Sequence, residues 1–244
     1  PIVLKVCIPG DEFYTEAEAL RLYDGRGSIR LWGADLDRGA LLIERAAPGA
    51  SLDTVADDVE ATHIACEVMR QLWRPVPAAS AKILPTYDLW VQHMGERYQA
   101  RLGPEHALLR RWVERALAMH RELAADQPEW VLLHGDLHHG NILAAERQPW
   151  LAIDPKGLAG PAIAETGPLL INRLAAPHTP ETARRALGRR ADQLADELGY
   201  DRQTLRAWGV VRAVMSAWWT VEDNSSDWQS TMICAEGLGS GATR

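Results

Sequence analysis

Phenylalanine occurs once in the 244 residues and cysteine only three times. No apolar run approaches the roughly 18 residues that a membrane-spanning helix needs, and no basic segment followed by an apolar stretch marks a secretion signal. A membrane partner is therefore not expected, and a cytoplasmic location is. Cys7, Cys66 and Cys234 are odd in number and far apart, with no C-x-x-C pair. That spacing argues against a disulfide framework and a thiolate zinc site, and fits a reducing compartment. Basic residues are also short: 26 Lys and Arg face 33 Asp and Glu, a formal charge of −7. The sign is wrong for a protein whose affinity rests on neutralising nucleic-acid phosphates, whereas a cationic partner is easily accommodated. Ten tryptophans against one phenylalanine suggest a GC-rich coding background and carry no function.

Hydrophobic residues make up 47% of the chain, enough to bury a sizeable core in one large domain or two small ones. The chain lacks an initiator methionine and opens on "PIVLKV", which reads as the middle of a strand. A fragment of a longer protein is therefore expected.

Alternation places Val3, Lys5 and Cys7 on one face of that strand, and Pro9-Gly10 ends it. A helix is predicted from about Asp11 to Tyr23, then two strands in "IRLWG" and "ALLIERA", closed by a Pro48-Gly49 turn. Beyond this the period changes from 2 to 3.6. Val55, Val59, Thr62, Cys66, Met69 and Trp73 share one face of a helix that Asp53 would cap. Further helices are predicted around Tyr87 to Arg101 and through Leu109, Val113, Ala116 and His120. "WVLLH" reads as a short strand, "HGDLHHGN" as a loop, and "ILAA" and "PWLAID" as two strands joined by the turn "ERQ". After "DPKGLAGP" the chain returns to helices, one along Leu187, Ala191, Leu194 and Leu198 with Gly199 as its stop. Another follows through Leu205, Trp208, Arg212, Met215, Trp219 and Glu222, and the tail "EGLGSGATR" is expected to be disordered.

The loop at residues 134–141 concentrates three histidines, an aspartate and an asparagine in eight positions. Three readings compete for it. His134, His138 and His139 could ligate a metal, but such sites need three or four convergent ligands. The loop could also be an ordinary polar turn. The third reading takes H-G-D-x-x-x-x-N together with Asp154 at the end of "WLAID" as phosphoryl-transfer machinery, which asks a protein mainly for positioning and charge neutralisation. Asp136 would accept the proton of an attacking hydroxyl, and Asn141 and Asp154 would hold Mg²⁺, which favours hard oxygen ligands and substrate phosphates.

"HGDLHHGNIL" followed by "WLAIDPKGLAG" resembles the catalytic and metal-binding segments of the aminoglycoside phosphotransferase family, and "LAAERQPWLAIDP" is similar to its streptomycin 6-kinase and hydroxyurea kinase branch. The resemblance spans almost the whole chain. It implies an α+β, protein-kinase-like fold, with a partial N-terminal nucleotide-binding lobe and hinge over residues 1–47. A helical C-terminal lobe would occupy residues 48–244. It further implies ATP and Mg²⁺ as cofactors and phosphorylation of an aminoglycoside hydroxyl, with the 6-hydroxyl of streptomycin foremost and hydroxyurea as the other candidate.

By the same resemblance Lys5 contacts nucleotide phosphates and pairs with a glutamate of the first helix, Glu16 foremost, with Glu18 and Glu12 as the other candidates. Glu44 and Ala46 offer backbone C=O and N–H to adenine, beside the Ile43 side chain. Trp219, Glu222 and Asp223 line the acceptor side on a C-terminal helix, and His134 braces the loop while His138 and His139 are structural. Two departures stand out. No phosphate-covering loop precedes Lys5, and Pro161 stands where related sequences carry the aspartate of G-D-P. A non-catalytic kinase-like remnant or binding module, and a metal-dependent hydrolase built on the histidines, are the competing expectations. Oligomeric state is not legible.

Overall fold

The computed structural model describes residues 1–125, 130–172, 180–225 and 227–239. Contacts divide the chain into two units, Pro1–Thr86 with Glu129–Glu165, and Tyr87–Pro128 with Thr166–Arg244. This division follows a different line from the lobe boundary expected near residue 47, because it groups the first strands with the loop at 134–141.

In the first unit β1 (Ile2–Val6) leads into α1 (Asp11–Tyr23), β2 (Leu31–Asp35) and β3 (Ala40–Glu44). The strands form an antiparallel sheet in the order β1-β3-β2, with Lys5 opposite Leu41 and Val3 opposite Ile43. Phe13, Ala17 and Leu20 recur at helical spacing along one face of α1 and pack with Ile29, Leu41, Ile43 and Leu151. Ile43, expected beside adenine, is thus a core residue.

Pro48-Gly49, expected as a turn, lies in β4 (Pro48–Ser51), which pairs with β6 (Ile142–Ala145), itself paired with β7 (Trp150–Ala152). Helix α2 (Asp58–Leu72) begins later than expected. The Asp57 carboxylate accepts the Val59 N–H at 2.9 Å, while Asp53 sits in a separate 3-10 turn capped by Ser51. Val59 is consequently 58% exposed, and the buried face runs through Thr62, Cys66 and Met69. The segment "LAGP", read as passage to the helices, is β8 (Leu158–Pro161), antiparallel to β5 (Trp130–Leu133). Pro161, which has no N–H to donate, closes this two-stranded sheet opposite Trp130.

The second unit is helical: α3 (Tyr87–Arg101), α4 (Ala107–Ala125), α5 (Thr166–Ile171), α6 (Pro180–Leu198), α7 (Arg202–Glu222) and α8 (Trp228–Gly239). Its core gathers Leu109, Val113, Leu187, Leu194, Trp208, Met215 and Trp218. Close approach of α5 and α8 to α7 depends on Gly209, where a Cβ would lie 2.5 Å from Leu170 and 2.8 Å from Leu238. Gly199 stops α6 in a left-handed conformation, φ +76°, as its position predicts. Of the tail expected to be disordered, residues 236–239 complete α8, and residues 240–244 lie outside the described residues. No helix among the described residues is long and apolar enough to cross a membrane.

Candidate active site

The loop between β5 and β6 is held from beneath. The Glu165 carboxylate, 1% exposed, accepts the backbone N–H groups of His134 and Gly135. Fully buried His134 makes Nε2 contact with the Ile153 carbonyl at 2.7 Å, which fixes the proton on Nε2 because a carbonyl only accepts. Nδ1 is then free to accept the Asp136 N–H at 3.3 Å. Burial pushes the His134 pKa down to about 4, so the ring is neutral. The ring is thus tied to the Ile153 carbonyl on one side and to the Asp136 N–H on the other.

Asp136 and Asn141 are joined across the loop, the Asn141 side-chain N–H₂ donating to the Asp136 carbonyl at 2.9 Å and leaving the amide oxygen for another partner. His138 accepts the Gly140 N–H at 3.0 Å through Nδ1, and its Nε2 lies 3.7 Å from the Asp136 carboxylate. His139 is buried. His134 and His138 thus direct their ring nitrogens to different partners. Among the described residues no group of three or more His, Cys, Asp or Glu could hold a metal ion, so the histidine-based hydrolase loses its ligand set. Asn141 and Asp154 carry oxygens of the kind that could hold a hard cation which also takes phosphate ligands.

Asp154 follows β7 with φ +55°, and its side chain is 52% exposed. The Ile153 N–H donates to the Asn141 carbonyl at 2.9 Å, tying the Asp154 segment to the loop. Lys5 reaches both acidic partners, Glu16 Oε1 at 2.7 Å and Asp154 Oδ1 at 3.1 Å. Burial alone would lower the Lys5 pKa, but the two carboxylates outweigh it and hold the ammonium charged. Burial pushes the Glu16 carboxyl upward, with Lys5 opposing the shift. The structure thus brings Lys5, Glu16, Asp136, Asn141 and Asp154 together in one unit.

At the end of β3 the Glu44 N–H donates to Arg30 O at 2.8 Å, and the Ala46 N–H has no partner among the described residues. The Glu44 side chain is occupied elsewhere. Arg147, in the β6–β7 turn, grips its two oxygens at 2.8 to 3.2 Å and also donates to the carbonyls of Gly25 and Ser28. Burial would raise the Glu44 carboxyl, but Arg147 and the Arg30 N–H outweigh it and hold it below the usual range.

Trp219, Glu222 and Asp223 belong to the second unit. Trp219 meets Trp90 edge-on at 5.3 Å between ring centroids and carries the Arg212 guanidinium over its face at 4.9 Å. Glu222 pairs with Arg97 at 2.8 Å, whereas Asp223 is exposed at the helix end. Sequence reasoning missed Glu165 and Arg147. For Glu165 a signal existed: it is the one charged residue between Leu158 and Ile171, and a buried carboxylate in such a run requires N–H donors.

Residues 1–224 match the family model described as aminoglycoside/hydroxyurea antibiotic resistance kinase. The chain is 37% identical over 230 residues to the hydroxyurea phosphotransferase of Kitasatospora aureofaciens, covering 90% of this chain and 62% of that protein. It is 31% identical over 226 residues to the streptomycin 6-kinase of Streptomyces glaucescens, covering 92% of this chain and 72% of the relative. Among solved structures, a thermostable mutant of the aminoglycoside phosphotransferase APH(4)-Ia, in ternary complex with ADP and hygromycin B, superposes with a TM-score of 0.67. Identity is 16%, covering 100% of this chain and 87% of that one, so this likeness speaks for the protein-kinase-like fold alone. By its sequence the chain belongs to the aminoglycoside/hydroxyurea antibiotic resistance kinase family.

Proposed function

We propose that the protein transfers the γ-phosphoryl group of ATP to a hydroxyl of a small antibiotic. The observation that carries this reading is the union, in one unit, of the Asp136–Asn141 pair with Asp154 and the Lys5–Glu16 ion pair. In this reading Asp136 accepts the acceptor's hydroxyl proton as its oxygen bonds to the γ-phosphorus, the bond to the β–γ bridging oxygen breaks, and ADP leaves. Mg²⁺ held by Asn141 and Asp154 would neutralise phosphate charge. Lys5 contacts the phosphates, while the Glu44 carbonyl and the Ala46 N–H hold adenine. Trp219, Glu222 and Asp223 are assigned to the acceptor, Asp223 as the exposed carboxylate among them. Streptomycin at its 6-hydroxyl is the first acceptor to test and hydroxyurea the second, in keeping with the two named relatives. The cytoplasm, where ATP is made available, is the proposed location.

The test is ADP release with streptomycin, other aminoglycosides and hydroxyurea in turn. Asp136→Asn should lower turnover by about 10²- to 10⁴-fold, the range for loss of a positioned general base, with an unchanged circular dichroism spectrum. Unchanged turnover in that variant would sink the role given to Asp136. Nucleotide binding without turnover on any acceptor would favour a binding module.

A further inference from the structure

Two residues beyond Asp154, the chain lies directly on α1. The Lys156 N–H donates to the His134 carbonyl at 2.8 Å, and the Lys156 carbonyl accepts the Thr15 hydroxyl at 2.6 Å. The Lys156 ammonium sits 2.8 Å from Glu12 Oε2. Gly157 has φ +68°, and a Cβ there would fall 2.4 Å from the Thr15 carbonyl and 2.9 Å from Ala19. Only glycine lets the two backbones approach this closely. Glu12 and Glu16 are four residues apart, hence neighbours on one face of α1. The helix therefore holds Lys156 on one turn and Lys5 on the next, and the charge of Lys156 also reaches Glu16, opposing the upward shift of its carboxyl.

We propose that Lys156 is a positioning residue: its ion pair with Glu12, with the Thr15 hydroxyl bond beside it, fastens α1 to the Asp154 segment and so keeps Glu16 in reach of Lys5. The proposal rests on the nucleotide role given above to Lys5 and Asp154. Lys5 itself bridges β1, α1 and the Asp154 segment, but it is also the group that must engage phosphate. A second fastening that uses none of the phosphate-facing groups lets Lys5 turn to the ligand without releasing the helix. Lys156 and Glu12 are 40% and 82% exposed in their side chains, so the pair is individually weak and water-screened. Its effect is accordingly several-fold and not all-or-none.

The experiment is titration calorimetry of the chain with MgADP, alongside kcat with the best acceptor. Lys156→Glu and Glu12→Lys should each weaken MgADP binding about three- to ten-fold, the first by setting a third carboxylate beside Glu12 and Glu16. Lys156→Arg should bind as the wild type does. The double charge reversal should bind at least two-fold more tightly than either single variant. If Lys156 instead touches phosphate, Glu12→Lys will not weaken binding and the reversal will rescue nothing, which overturns the proposal. Single variants indistinguishable from wild type overturn it as well. A wild-type chain that binds no MgADP removes the nucleotide reading itself, a result distinct from either of these.

Discussion

Lys5 on β1 and Glu16 on α1 are joined by an ion pair of 2.7 Å in which the glutamate side chain is only 9% exposed. Removing the ammonium leaves a nearly buried carboxylate facing Asp154. Lys5→Met should therefore raise the Glu16 pKa further and lower stability by about 1 to 3 kcal/mol, the usual consequence of stranding a buried charged group. It should also weaken MgADP binding at least about ten-fold, since a charge-assisted contact to phosphate is lost. Urea unfolding and calorimetry measure the two effects separately, and unchanged MgADP affinity would remove Lys5 from the nucleotide site.

Glu44 and Arg147 make a polar junction of several hydrogen bonds in the first unit. Arg147 ties the end of β3 to the β6–β7 turn and to the carbonyls at residues 25 and 28. Glu44→Gln and Arg147→Met should each cost about 1 to 3 kcal/mol of stability, and the double variant less than their sum, because both remove one interaction. If the Glu44 contribution to adenine is its carbonyl alone, MgADP affinity should change less than about three-fold, within the scatter of a contact not made. Urea midpoints across the double-mutant cycle, with calorimetry on each variant, decide both points.

His134 makes stability depend on acid. Its pKa is about 4 in the folded protein against 6.5 for the free ring, so on acidification the unfolded chain takes up the proton first. The contribution is complete above about pH 6.5 and is lost as pH falls towards about 4, with a limiting slope of about 1.4 kcal/mol per pH unit. Comparing urea midpoints of wild type and His134→Gln from pH 7.5 to 4.5 isolates the term. The variant should be less stable at pH 7.5, and the gap should narrow on acidification. A gap independent of pH would contradict a neutral, buried His134.

The elements with strong local signals were legible from residues alone. The bounds of α1 and α3 follow from apolar spacing and from Pro and Gly at their ends, and the β6–β7 hairpin from two apolar runs around "ERQ". What was not legible depends on partners distant in sequence. Four apolar residues such as Leu158–Pro161 become a strand only because β5 lies alongside. Asp53 and Asp57 are equally good caps by type, and only the intervening 3-10 turn chooses between them. Arg147 sits in a stretch that looks like a solvated turn, yet it reaches Glu44, 103 positions away. In the site, Asp136, Asn141 and Asp154 were readable from their order and spacing. Glu165 showed only as a lone charge in an apolar run, and its donors, being backbone groups, leave no mark on composition to say what it holds.

Asp154 has one more consequence. Its left-handed backbone, φ +55°, is a conformation that aspartate tolerates at a penalty of about 1 kcal/mol and a β-branched residue scarcely adopts. The restriction is imposed by folding, through the Ile153–Asn141 bond on one side and the Lys156–His134 bond on the other. The Asp154 backbone is therefore set before any ligand arrives, and Lys5, 3.1 Å from Oδ1, holds the carboxylate. Whatever it binds meets an oriented oxygen donor, so little conformational freedom is left to lose on association.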